Sequence, residues 1–189
     1  MNKIIGILGM QGAIAEHQEI LLQIPHTKTR IVKTAKDLDC IDGLILPGGE
    51  STAIGKLLDY FSLKEILQQK IISGLPVFGT CAGLILLAKN IENQTNTHLA
   101  TMDITVKRNG YGSQLDSFST NLLIPTIDKN MPIPLVFIRA PYITKTDKDV
   151  QILATLDNKI IAARQKNMLV SSFHPELTCD LRFQKNLFT

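Results

Sequence analysis

The sequence predicts an α/β fold, with a mostly parallel mixed sheet covered by helices on both faces. Three observations predict it. Through the first half, short apolar runs alternate with longer segments of helical period, the pattern of parallel strands joined by helical crossovers. The second half gives up most of its helices for closely spaced short strands, which adds antiparallel strands late in the chain. At 189 residues, 44% of them apolar, the chain is long enough to bury a core without staples, as one domain over residues 1–189.

Taken in order, Lys3 to Leu8 reads as a buried strand. Ala13 to Ile24 reads as a helix, with Ile14, Ile20, Leu21 and Ile24 on one stripe. Thr29 to Lys33 is a short strand, and Gly43 to Leu46 another, closed by Pro47-Gly48-Gly49. Ser51 is the expected N-cap of a mostly helical stretch from Thr52 to Ile72. Leu75 to Phe78 forms a strand that leads into a helix after Cys81. Five further strands follow at Met102–Val106, Leu135–Ile138, Val150–Ala154, Ile160–Ala163 and Met168–Val170. Asp157-Asn158 marks a tight hairpin. Glu92 to Thr97 and Asp128 to Pro134 read as loops rather than domain boundaries.

Composition excludes several functions. The net charge is +3 and the densest basic pair is Lys107-Arg108, far from a nucleic-acid footprint. Aromatics are 5% of residues, too few for a base-stacking surface. No apolar run approaches membrane-spanning length, and the glycine-punctuated start is too short for a signal peptide. The three cysteines, Cys40, Cys81 and Cys179, include no CxxC spacing, which argues against a disulfide framework or a structural zinc. A free thiol suits a reducing compartment, and the expected location is the cytoplasm.

Chemistry concentrates at Cys81. It lies in Gly79-Thr80-Cys81-Ala82-Gly83, between a strand and a helix, as in a nucleophile elbow. A lone cysteine before a helix is as often packing as nucleophile, but small neighbours permit a strained turn. The following helix aims its N–H groups at the sulfur. Ser172-Phe173-His174-Pro175-Glu176 supplies a base at a strand end and a carboxylate two residues on, facing the same side in an extended stretch. Either residue alone has a bland reading as a surface group. Together with Cys81 they spell a Cys-His-Glu acyl-transfer triad. His17, His26 and His98 read as structural or exposed, with His98 starting a strand; Cys40 reads as core and Cys179 as a bystander. The loop Pro47-Gly48-Gly49-Glu50-Ser51-Thr52 is a capped tight turn or half of an oxyanion hole, with Gly49 N–H and Ala82 N–H as the candidate donors.

Pro-Gly-Gly-Glu-Ser-Thr, Gly-Thr-Cys-Ala-Gly and Phe-His-Pro-Glu-Leu, in this order, resemble a class I glutamine amidotransferase domain. More narrowly, Leu8 to Ala13 with Glu16-His17, Met102 to Asn109 and Phe137 to Pro141 resemble the glutaminase subunits of pyridoxal 5′-phosphate synthases. The resemblance runs from the N-terminus to about Leu181. It implies a flavodoxin-like three-layer α/β/α sandwich that hydrolyses L-glutamine to glutamate and ammonia. Cys81 would attack the side-chain amide, His174 would shuttle the proton, and Glu176 would orient His174. Gly49, Glu50, Ser51, Arg108, Ile138 and Arg139 would bind glutamine. The ammonia would pass to a barrel-shaped synthase subunit in a large hetero-oligomer. Docking would complete the oxyanion hole by moving the Gln11 loop and the Gly48-Gly49 peptide. The chain itself would carry no metal and no cofactor.

Two positions and the last helix depart from the pattern: Ser113 stands where the family usually carries Arg, Cys179 stands where an acidic residue is expected, and the last helix is short. The nearest alternatives are a glutaminase subunit of another amidotransferase, of the histidine-biosynthesis type, and a cysteine peptidase-like hydrolase. The first would lack the Met102–Asn109 block. The second would not need Arg108 and Arg139 placed for a free amino acid.

Overall fold

A computed structural model describes residues 2–110 and 117–188 of the chain. Ser113 lies outside the described residues. The chain opens on β1 (Lys3–Leu8), crosses by α1 (Ile14–Leu22) to β2 (Thr27–Val32), and returns through a 3-10 turn (Ala35–Leu38) to β3 (Gly43–Leu46). Two helices, α2 (Ser51–Tyr60) and α3 (Lys64–Ile72), precede β4 (Val77–Thr80). The short α4 (Ala82–Leu87) then runs directly into β5 (Ala88–Ile91). The rest is almost all strand: β6 (Met102–Lys107), β7 (Ser117–Leu122), β8 (Ile133–Ile138), β9 (Tyr142–Thr146), β10 (Gln151–Leu156), β11 (Lys159–Gln165) and β12 (Met168–Ser171). A 3-10 turn (Pro175–Leu177) and α5 (Arg182–Phe188) follow.

The sheet order is β2-β1-β3-β4-β12-β11-β9-β6-β5, with β10 on β11 and with β7 and β8 as a separate ribbon. From β2 to β12 every pairing is parallel, and β2-β1-β3-β4 is the flavodoxin-like order. Antiparallel pairing begins where β11 joins β12 and continues through β9 and β6, and β5 pairs parallel with β6. The late antiparallel additions are as expected.

The period-2 alternation of strands distributes their side chains between two cores. Leu8, Leu44, Leu46, Val77 and Val170 pack with Ile54, Leu58, Leu67 and Ile71 of α2 and α3. Their neighbours Ile7, Ile45, Phe78 and Leu169 pack with Leu21 of α1 and with Phe183 and Phe188 of α5. Helices therefore cover both faces, and the strands read as continuous apolar runs because neither face meets water. Phe183 stacks against Phe78 at 6.1 Å and meets Phe173 edge-on at 5.0 Å, and Phe173 meets Phe137 at 5.8 Å. This aromatic line backs the residue before His174. Phe183→Ala is expected to cost about 3–5 kcal/mol of stability, measured by urea unfolding.

Several expectations are corrected. The Thr52–Ile72 stretch is broken into two helices at residues 61–63, where Ser62 takes φ 53°. No glycine or proline signals that break. The N-cap of α2 is Glu50, not Ser51, because the longer carboxylate reaches Thr52 N at 3.2 Å and Ala53 N at 2.7 Å. Cys40 is exposed rather than core. His98 sits in an irregular stretch, its ring laid where a Gly55 side chain would be, and starts no strand. The Asp157-Asn158 hairpin forms as expected, with both residues at positive φ.

Candidate active site

Cys81 follows β4 directly and takes φ 49° and ψ −99°, a strained conformation for a residue with a side chain. Its N–H donates to Ser171 O at 2.8 Å, which anchors the turn to β12. The flanking glycines have a steric cause. A Cβ on Gly83 would overlap the Leu46 carbonyl oxygen, and one on Gly79 would sit 2.6 Å from the Gly83 carbonyl carbon. Gly83→Ala is expected to destabilise by about 1–3 kcal/mol, read from urea unfolding midpoints. The elbow fits in the centre of the sheet only with hydrogen at both positions.

His174 comes from the neighbouring strand. β4 and β12 pair from Met168 opposite Val77 to Ser171 opposite Thr80, so the chain leaves both strands at the same edge. His174 N–H donates to Val136 O at 2.8 Å, tying the segment to β8. Its Nδ1 lies 2.7 Å from Glu176 Oε1, and both residues are buried. The proximity does not arise from an extended strand. Glu176 lies in the 3-10 turn begun by Pro175, and that turn folds the carboxylate back onto the ring. With Nδ1 committed to Glu176, Nε2 is the nitrogen left for Cys81. Burial alone would lower the His174 pKa, but hydrogen bonds with Cys81 and Glu176 and the negative charge on both raise it to about 10. Burial likewise pushes the Glu176 carboxyl up, and His17 and His174 more than offset this, holding it below the usual range.

His17 is the residue the sequence did not place here. It is fully buried on α1, with Nε2 at 3.1 Å from Thr80 Oγ1 and 3.5 Å from Glu176 Oε1. The signal was present in its spacing, since His17 shares the helix stripe of Ile14, Leu21 and Ile24.

The Gly48-Gly49 peptide passes beside this cluster. Gly48 N–H donates to Thr80 Oγ1 at 3.1 Å, and Gly48 O accepts from Ala13 N at 3.0 Å. In a trans peptide the Gly49 N–H then points away from Ala13. Gly12 takes φ 111°, and a side chain there would collide with Gly48 O. Gln11 Oε1 accepts from Glu50 N at 2.8 Å, joining the two loops.

A pocket of about 190 Å³ brings together Cys81, Ala82 and all six residues expected to bind substrate: Gly49, Glu50, Ser51, Arg108, Ile138 and Arg139. It adjoins an outer cleft of about 450 Å³ that His174 and Gln11 also line. The two arginines differ. Arg108 is engaged, donating to Glu50 Oε1 at 2.8 Å and Thr52 Oγ1 at 3.0 Å. Arg139 takes φ 43° and has no ion pair among the described residues. Ser51 Oγ is buried without a hydrogen-bond partner among them. Among the described residues no group of three or more His, Cys, Asp or Glu is placed to hold a metal, and no helix is long and apolar enough to cross a membrane.

Residues 7–189 match the SNO glutamine amidotransferase family. A protein of Ruminiclostridium cellulolyticum named pyridoxal 5′-phosphate synthase subunit PdxT is 52% identical, over 97% of this chain and 96% of its own length. A protein of the same name from Carboxydothermus hydrogenoformans is 54% identical, over 96% of this chain and 94% of its own. A crystal structure of a glutamine amidotransferase superposes with a TM-score of 0.89 at 37% identity, covering 97% of this chain and 96% of that one. With its fold, its elbow and nearly its whole length accounted for in this way, the chain belongs to the SNO glutamine amidotransferase family.

Proposed function

We propose that this chain acts as one glutaminase domain, the subunit of a pyridoxal 5′-phosphate synthase that hydrolyses L-glutamine to glutamate and ammonia. The observation that carries the reading is a pocket holding Cys81, Ser51 and Arg139, joined at Cys81 to a cleft lined by His174, whose Nδ1 is held by Glu176. Full-length relatives at 52% and 54% identity, both named as synthase subunits, support it.

Cys81 Sγ attacks the side-chain amide carbon while His174, already protonated, holds the proton at Nε2. The oxyanion forms against the N–H groups of Gly49 and Ala82. Glu176 holds His174 by Nδ1 and balances the imidazolium. His174 then gives the proton to the departing nitrogen, which leaves as ammonia, and a thioester remains on Cys81. Water, deprotonated by His174, hydrolyses the thioester and frees glutamate. Arg139, without an ion pair among the described residues, is placed to pair with the α-carboxylate, while Arg108 is tied to Glu50 and shapes the pocket wall. Arg139→Ala is accordingly expected to raise KM for glutamine roughly 10- to 100-fold with a smaller change in kcat, measured by steady-state glutamate formation.

The partner in this reading is a barrel-shaped synthase subunit within a large hetero-oligomer, and the thiol chemistry suits the cytoplasm. The deciding experiment is ammonia release from L-glutamine by the purified chain, with and without the synthase subunit. Release that depends on the partner supports the reading. No release in either case defeats it, and release indifferent to the partner favours a free-standing hydrolase.

A further inference from the structure

We infer that His17 is a positioning residue that ties the Glu176 carboxylate to the Gly48-Gly49 loop through Thr80. The inference rests on the functional reading above and deepens it. One buried ring nitrogen, His17 Nε2, faces Thr80 Oγ1 at 3.1 Å and Glu176 Oε1 at 3.5 Å. The same Thr80 oxygen accepts from Gly48 N–H at 3.1 Å, and the same Glu176 oxygen lies 2.7 Å from His174 Nδ1. A single side chain thus connects the group that orients the base with the loop that presents Gly49 N–H. Helix α1 holds that loop a second time, through Ala13 N–H to Gly48 O at 3.0 Å.

The charge state fits this role. An ionised carboxylate only accepts hydrogen bonds, so the nitrogen facing Glu176 carries the proton. Burial lowers the His17 pKa; His174 adds to the lowering, while Glu176 and Glu16 oppose it. Burial thus works against a second full positive charge beside His174, while Glu176 draws the ring N–H towards itself. The bond to Thr80 Oγ1 fixes the ring, and its Nε2, 3.5 Å from Glu176 Oε1, limits how far the carboxylate can rotate away from the imidazole. Partners of this kind, one step removed from the reacting groups, typically carry 10- to 100-fold in activity.

The test uses His17→Leu, which fills a similar volume without a donor, and His17→Gln, whose amide restores one. Two readouts are taken on the full chain in complex with the synthase subunit: glutaminase kcat and KM, and the pH dependence of iodoacetamide alkylation followed at the Cys81 peptide by mass spectrometry. The second needs no glutamine chemistry. The expected result is a roughly 10- to 100-fold fall in kcat for His17→Leu with KM nearly unchanged. It is accompanied by a displaced alkylation profile and recovery of most of both in His17→Gln. A folded His17→Leu chain whose alkylation profile matches wild type overturns the inference, whatever its stability. Wild type that alkylates at Cys81 but never hydrolyses glutamine would defeat the functional reading instead, and the profile of His17→Leu would still decide the role of His17.

Discussion

A Cys81→Ala chain is expected to release no ammonia from glutamine above background in the presence of the synthase subunit, a loss of roughly 10⁴-fold or more in kcat. The size follows from the role proposed for Cys81: without the sulfur there is no thioester, and the remaining pocket offers only binding and oxyanion contacts. The variant should fold, because alanine keeps the same Cβ and so leaves the strain at φ 49° unchanged while removing only the sulfur. It should also still bind glutamine, since Arg139 and Ser51 are untouched. Ammonia release that persists in Cys81→Ala would place the nucleophile elsewhere.

His174→Gln should lose activity on a similar scale, and it carries a second signature in stability. The folded-state pKa of His174 is raised from 6.5 to about 10. Between those values the folded protein holds a proton that the unfolded chain has shed. The stabilisation is therefore fully present below pH 6.5 and is lost as pH rises towards 10. The difference in unfolding free energy between wild type and His174→Gln should shrink steadily across that window, measured by urea titrations at several pH values. Because Cys81, His174 and Glu176 interact, the slope belongs to the group as a whole. A difference independent of pH would mean that His174 is neutral in the folded protein.

Cys81, His174 and Glu176 were legible in the sequence because each chemical group sits in a short segment whose neighbours serve the same purpose. The elbow announces itself through Gly79 and Gly83, and the base through its place after an apolar strand. His17 was not legible as part of this cluster, because a histidine on a helix gains meaning only from what packs against it. That partner is Glu176, far away in the chain. Two strands were also obscure, β9 inside the antiparallel half of the sheet and β7 in the separate ribbon. β9, with sequence YITKT, and β7, with SFSTNL, bury too little apolar surface to stand out as strands. The α2–α3 break depends on Ser62 in a left-handed conformation, for which the local sequence carries no glycine. Glu50 was passed over as a cap because serine has the stronger general preference, whereas here the reach of the longer side chain decides.

The position of β12 has a consequence for how the protein is made. Cys81 is synthesised early, on β4, but β12 must slot between β4 and β11 before His174 and Glu176 can stand against it. That pairing is among the most distant in sequence, and closures of this kind come late in folding. A nascent chain on the ribosome therefore displays its thiol for the rest of translation without the base proposed to activate it. With the roles proposed for His174 and Glu176, glutamine hydrolysis switches on only when the last parallel strand is seated, so a half-made subunit wastes no amide nitrogen.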